Sequence, residues 1–214
     1  MSLSYTKPEI LTYINSFLTY PSPVLADMER KHQTRVNIQP NMSLQGATLL
    51  QCLLTMANAK YVIEIGACIG YSAIFIGEIM KKTGGKLYTI EIDERFIPEI
   101  YENILSADLF KQIEVIQGDA KVKLQELPQG ADCIVLDANK PLYPKILDEC
   151  VDKLKPCGFI FADDTLFRPM GMSERLSAPM DEYNKMVFER DDLINTILPV
   201  GDGITLSVKK DKNK

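Results

Sequence analysis

The spacing of apolar residues changes near residue 60. Before it, Ile10, Ile14, Phe17 and Leu18 recur at helical spacing behind Thr6 and Glu9, a pair that resembles a capping box. Tyr20-Pro21-Ser22-Pro23 ends that helix and offers Ser22 as the next N-cap, with proline at the first helical position. The second helix is expected to run to about Gln33, and residues 36–41 read as irregular. A third helix starts near Ser43, with Leu49, Leu50, Leu53, Leu54 and Met56 as its expected buried face. From residue 61, short runs of branched apolar residues alternate with helical segments. Strands are predicted at 61–65, 86–92, 113–117, 133–137 and 159–163. Helices are predicted at 71–82, from about 94, in a short piece closed by Pro128, and at 141–154 with Pro156-Cys157-Gly158 as its stop. Residues 166–179 read as a loose loop, 180–190 as a last helix, and 193–200 with 204–209 as a hairpin around Gly201-Asp202-Gly203. Pro199 puts its strand at an edge or a bulge.

Alternating strands and helices imply an α/β domain with a mostly parallel sheet covered on both faces. A ligand then belongs beyond the carboxyl ends of the strands, at the switch point. The 214 residues suffice for one domain with a proper core. No apolar run approaches the roughly 20 residues of a membrane helix, and no leader opens the chain. A net charge of −5 gives no overall footprint for nucleic acid, and the lysines at 209, 210, 212 and 214 read as a solvated tail. Five cysteines without a C-x-x-C pair fit reduced thiols in a cytoplasmic protein. His32, the single histidine, reads as a surface residue, which argues against zinc.

The chemistry gathers at the strand ends. Val62-Ile63-Glu64-Ile65-Gly66-Ala67-Cys68-Ile69-Gly70-Tyr71-Ser72 runs from a buried strand through two glycines into a helix. Such a turn either cradles a ligand against backbone N–H groups or is only a tight turn. Its Gly-x-x-x-Gly spacing is not the Gly-x-Gly-x-x-Gly of a dinucleotide fold. Glu64, Glu91, Asp119, Asp137 and Asp163-Asp164 stand at five successive strand ends. An acid after the second strand can accept from ribose hydroxyls, and one after the third can meet an adenine amino group. Asp137 and Asp163, on neighbouring strands, could share a hard cation such as Mg²⁺ or Ca²⁺. Asp164 joins them only if the chain turns there; otherwise it caps or solvates the loop. Lys140 is either a general base, with its pKa lowered beside a cation, or a lysine paired with these aspartates.

Five motifs in order, Glu64-x-Gly66-x-x-x-Gly70-Tyr71-Ser72-Ala73, Tyr88-Thr89-Ile90-Glu91-Ile92-Asp93, Gly118-Asp119-Ala120, Leu136-Asp137-Ala138-Asn139-Lys140 and Ala162-Asp163-Asp164-Thr165-Leu166, carry a resemblance. The chain resembles the cation-dependent, S-adenosylmethionine-dependent O-methyltransferases, a family that includes catechol and caffeoyl-CoA O-methyltransferases and bacterial relatives. The closing segment 198–204 is also similar to the bacterial and plant members. The resemblance implies a Rossmann-like class I methyltransferase fold, with a seven-stranded mostly parallel sheet and a C-terminal antiparallel hairpin. One domain spans 1–214, its N-terminal helices (1–58) covering the cofactor site and its core at 61–209. By position, Glu64, Gly66, Ala67, Gly70 and Ser72 would hold the methionine part of the cofactor and Glu91 the ribose. Asp119 and Ala120 would border the adenine, Ile38 would lie in the covering segment, and Asp137 and Asn139 would complete the cofactor contacts. Asp137, Asp163 and Asp164 would bind Mg²⁺, Ca²⁺ or Mn²⁺, and Lys140 with Asp137 would be catalytic.

Two positions depart from the family: Asp164 stands where relatives usually have asparagine, and Asn139 where many plant relatives have aspartate. The expected acceptor is a small hydroxylated aromatic, walled by Phe167, Tyr143 and the methionine-rich loop. The alternatives are a tRNA hydroxyuridine acceptor and a cofactor-binding protein without catalysis. A homodimer contacting through the N-terminal helices and the 166–180 loop is expected from the relatives.

Overall fold

A computed structural model describes residues 8–35 and 38–211. The proposed capping residue Thr6 and the lysines at 212 and 214 lie outside the described residues. Three helices, α1 (Pro8–Asn15), α2 (Pro23–His32) and α3 (Leu44–Met56), precede the sheet. Ser22 caps α2 by accepting from the Val24 N–H, and Ser43 caps α3 by accepting from the Gly46 N–H. The buried side of α3 is Gly46, Ala47, Leu50 and Leu54, while Met56, expected inside, is 82% exposed at the helix end.

The alternating region then unfolds as predicted, through β1 (Tyr61–Ile65), α4 (Tyr71–Thr83), β2 (Lys86–Glu91), α5 (Ile97–Ser106), β3 (Ile113–Gln117), α6 (Ala120–Glu126) and β4 (Ala131–Leu136). A 3₁₀ turn (Lys140–Leu142), α7 (Tyr143–Lys153), β5 (Leu154–Asp163), α8 (Glu174–Phe188), β6 (Leu193–Leu198) and β7 (Ile204–Lys209) complete it.

The seven strands form one sheet in the order β3-β2-β1-β4-β5-β7-β6. The first five are parallel to their neighbours, and β7 and β6 run antiparallel. Alternation along the strands splits the core in two. Val62, Leu87, Cys133, Val135 and Phe161 face α2–α5, whereas Ile63, Ile65, Ile134, Leu136 and Ile160 face α6–α8. From β1 the chain winds outwards to β3 and then crosses to β4 on the other side. The switch point therefore lies between the carboxyl ends of β1 and β4, where Glu64 and Asp137 stand. β6 is the edge strand, and Pro199 follows it directly.

Three boundaries differ from expectation. α5 begins at Ile97, three residues after the predicted start, with Pro98 in its first turn. Pro156-Cys157-Gly158 does not stop a helix. It lies inside β5, where the register with β4 shifts between Ala131 and Cys133 and Cys157 takes φ 62°. A bulge leaves residues out of the ladder, which is where a strand tolerates proline. The last helix begins at Glu174, not 180, and carries Pro179 in its interior.

At the end of the sheet opposite the site, Asp132 ties β4 to β1. Its carboxylate accepts from the N–H groups of Lys60 (2.7 Å) and Tyr61 (2.8 Å) and pairs with Lys155. Burial works against the charge, but the lysine and the two amides hold the pKa below the ordinary 3.8. A carboxyl with a depressed native pKa stabilises the fold above its unfolded value, and that stability is lost as pH falls through the native pKa. Asp132→Asn should lower stability by about 1–3 kcal/mol at pH 7. In urea denaturation series the gap to wild type should shrink as pH drops below 3.8.

Candidate active site

The turn after β1 is shaped as much by its neighbours as by any ligand. Gly66 takes φ 101°, and its N–H donates to the carbonyl of Ile90 (2.9 Å). A Cβ there would lie 2.1 Å from the carbonyl oxygen of Asp137. The glycine is thus required by the close approach of the β4 end, which seats Asp137 beside the turn. Gly70 at φ 86° starts α4, whose first N–H groups have no side-chain cap.

Glu64 is fully buried on β1 beside Thr89 of β2, and the Thr89 hydroxyl donates to its Oε2 (2.5 Å). Its other oxygen, Oε1, is buried with no hydrogen-bond partner. Burial pushes the carboxyl up to about 7, against the hydroxyls of Ser72 and Thr89 and with the help of Asp137 and Glu91. A buried, half-satisfied carboxyl needs a donor, and a cationic ammonium is the strongest one. Glu91 is already used in the fold: Oε2 accepts from the Cys68 N–H (2.8 Å) and Oε1 from the Asp93 N–H (2.8 Å). It thereby ties the β2 end to the glycine turn, and each oxygen keeps a free lone pair. Asp119 is exposed and caps α6 through the Lys121 N–H (2.9 Å), with Ala120 buried behind it. Ile38 packs partly buried against the α2–α5 core, and Asn139 is exposed.

On the β4 and β5 ends, the chain turns at Asp164, as its candidate role required. Asp164 takes φ 65°, and its N–H donates to Asp163 Oδ1 (2.9 Å). Lys140 Nζ lies 2.7 Å from Asp164 Oδ2 and 3.7 Å from Asp137 Oδ1. It also donates to the Tyr143 hydroxyl (3.0 Å), which in turn donates to the Leu136 carbonyl (2.8 Å). Burial pushes the carboxyls of Asp163 and Asp137 up; Asp137 and Asp164 raise the first further, and Asp164 the second.

The sequence matches the O-methyltransferase family model over residues 16–210. The chain belongs to this O-methyltransferase family. A catechol O-methyltransferase of Niastella koreensis is 28% identical, with 92% of this chain and 95% of that protein covered. A caffeoyl-CoA O-methyltransferase of Mesembryanthemum crystallinum is 29% identical over 87% of this chain and 78% of its own. The fold matches that of the O-methyltransferase TomG of Streptomyces achromogenes, solved with S-adenosylmethionine. Its TM-score is 0.83 at 21% identity, over 99% of this chain and 100% of that one.

One expectation for this O-methyltransferase needs correction. Tyr143 has no exposed surface, so it props Lys140 from below and does not wall an acceptor. Lys140 is paired with Asp137 and Asp164: burial alone would lower its pKa, but Tyr143, Asp137 and Asp164 outweigh it and hold the ammonium above its ordinary value. Thr89 is the residue that the sequence reading missed. A hydroxyl in register with Glu64, two residues before Glu91 on the same strand, was the available signal.

Among the described residues, no three His, Cys, Asp or Glu side chains are gathered as a ready metal cage. The Lys140 ammonium lies against Asp164 instead. The donor chemistry nonetheless suits a hard divalent cation: all-oxygen ligands, the buried Asp163 and the partly buried Asp137 among them, both raised by burial and by carboxylate neighbours.

Proposed function

We propose that the protein transfers the methyl group of S-adenosylmethionine to a hydroxyl of a catechol-like acceptor, with help from a divalent cation. The observation that carries the reading is the pairing of two subsites across the switch point. The unsatisfied Glu64 Oε1 lies on one side, and Asp137, Lys140, Asp163 and Asp164 lie on the other. Glu64 would accept from the cofactor's ammonium, and the uncapped start of α4 suits its carboxylate. Glu91 retains lone pairs for ribose hydroxyls, and Asp119 with Ala120 borders the adenine side. Asp137, Asp163 and Asp164 would hold Mg²⁺, Mn²⁺ or Ca²⁺, which supplies Lewis acidity and orientation to an acceptor hydroxyl. Lys140 Nζ would take the hydroxyl proton as a neutral amine, a form that a cation balancing the charge of Asp137 and Asp164 would favour. Relatives named for catechol and for caffeoyl-CoA support an acceptor with vicinal aromatic hydroxyls. Phe167, 6% exposed near Lys140, and the half-exposed Met170 and Met172 would wall it. Five free thiols suit the cytoplasm, and a homodimer would cover α1 and the turn that follows it, where Tyr13 and Phe17 are each 67% exposed.

The cofactor half has its own test. An ammonium binds Glu64 best when the carboxyl is ionised, and its pKa is about 7 in the structure. Affinity for S-adenosylhomocysteine should therefore fall by up to about tenfold per pH unit below that value, as binding comes to require loss of a proton. Glu64→Gln should bind more weakly and lose most of this slope. Calorimetry between pH 5.5 and 8.5 reads both, and a slope unchanged in the variant would remove Glu64 from the ammonium site.

A further inference from the structure

Asn184 on α8 bonds in two directions. Its Nδ2 donates to the carbonyl of Thr165 (2.8 Å), and its Oδ1 accepts from the hydroxyl of Thr205 on β7 (2.7 Å). Thr205 has no exposed surface, so the amide is anchored in the core. Thr165 directly follows Asp164, whose φ of 65° is uncommon outside glycine, although aspartate is among the residues that adopt it, so the bonds around the turn decide whether it is kept. From the other side, the Thr165 N–H donates to the Gly203 carbonyl (3.0 Å) and the Leu166 N–H to the Asp202 carbonyl (3.0 Å). The hairpin turn therefore grips the segment by its N–H groups, and α8 grips it by a carbonyl. The Thr165 hydroxyl itself is buried without a partner, so it adds nothing to the hold.

We propose that Asn184, fixed by Thr205, is a positioning residue that sets the Asp163–Asp164 turn and through it the divalent cation and the acceptor hydroxyl. The inference rests on the cation-dependent reading above. Neither residue touches the carboxylates. Their effect is to keep Asp164 turned towards Lys140 and Asp163, where a displacement of about 1 Å can cost 10²-fold in rate.

Four variants test it: Asn184→Leu, Thr205→Val, Thr205→Ser and Asp163→Asn. Mn²⁺ affinity is read by electron paramagnetic resonance, alongside kcat and the KM for S-adenosylmethionine. Asn184→Leu and Thr205→Val should weaken Mn²⁺ binding by about 10-fold and lower kcat by about 10- to 100-fold, with KM for the cofactor unchanged. Thr205→Ser keeps the hydroxyl and should stay near wild type. Mn²⁺ affinity and kcat at wild-type level in Asn184→Leu and Thr205→Val would overturn the proposal. So would cofactor affinity falling in step with kcat, because that is general loosening. If Asp163→Asn binds Mn²⁺ as well as wild type does, the cation site itself is misassigned and the inference falls with it. If Asp163→Asn loses the ion while Asn184→Leu keeps it, only the role of Asn184 fails.

Discussion

Asp163→Asn should reduce methyl transfer to a catechol acceptor by about 10²–10³-fold while leaving the fold and cofactor binding in place. The amide is the same size and can still accept from the Asp164 N–H, so the turn keeps its short contact of 2.9 Å. It removes a charge that the fold pays to hold, since burial and the neighbouring Asp137 and Asp164 raise the Asp163 pKa well above its ordinary value. The sign follows from linkage: a carboxyl whose native pKa is raised penalises the folded state once pH exceeds its unfolded value. At neutral pH and without added divalent cation the variant should therefore melt no lower than wild type, so activity that stays low once the cation is added cannot be ascribed to an unstable fold. A chelator should inhibit wild type to a similar extent, with Mg²⁺ or Mn²⁺ restoring turnover. Transfer of a labelled methyl group to catechol, with and without chelator, is the measurement. Full activity of Asp163→Asn on catechol, insensitive to chelator, would mean that Lys140 and Asp164 activate the hydroxyl without a cation.

What could be read from the residues was what depends on local pattern. Branched apolar runs gave the five parallel strands because burial on both faces needs little else, and the acids at their ends fell into one row for the same reason. Asp164 was harder, because a turn at a non-glycine residue leaves no mark in composition. Its φ of 65° is held from a distance, through bonds that Gly203, Asp202 and Asn184, residues 20 to 39 positions away, make to the two residues that follow it. Pro156, read as part of a helix stop, and Pro179, read as the end of a loop, show tertiary structure overriding a local rule. Ser177, Met180, Tyr183 and Val187 form one buried stripe at helical spacing straight through Pro179. Packing that stripe offsets the roughly 3 kcal/mol that an interior proline costs. Pro156 is accommodated because β5 bulges there. Similarly, Tyr143 looks like an aromatic wall in sequence, and only the path of α7 beneath Lys140 turns it into a buried prop.

Gly66→Ala is the substitution expected to do most damage to the fold and the site together. Glycines in a turn are often replaceable where only backbone freedom is at stake, at about 1 kcal/mol. Here two costs coincide. The φ of 101° is one that an alanine adopts only under strain. The new Cβ would also lie 2.1 Å from the Asp137 carbonyl oxygen, 2.7 Å from its carbon and 2.9 Å from the Ala138 Cα. These are backbone atoms and cannot swing aside as a side-chain end would. Either β4 moves away from β1 at the switch point, or the turn reshapes and loses the 2.9 Å bond to Ile90. A destabilisation of about 3–5 kcal/mol is expected, at the upper end for single substitutions. That corresponds to a melting point lower by roughly 10 °C in a domain of this size. Because the displaced atoms belong to Asp137, saturating cofactor should not rescue kcat below the melting range. Gly70→Ala separates the two costs, since its φ is also positive at 86° but its nearest neighbour is a flexible Ile100 methyl at 3.5 Å. It should lose about 1–2 kcal/mol and keep most of its turnover. Equal losses in the two variants would mean that backbone conformation alone governs the turn, and that the approach of Asp137 to Gly66 contributes little.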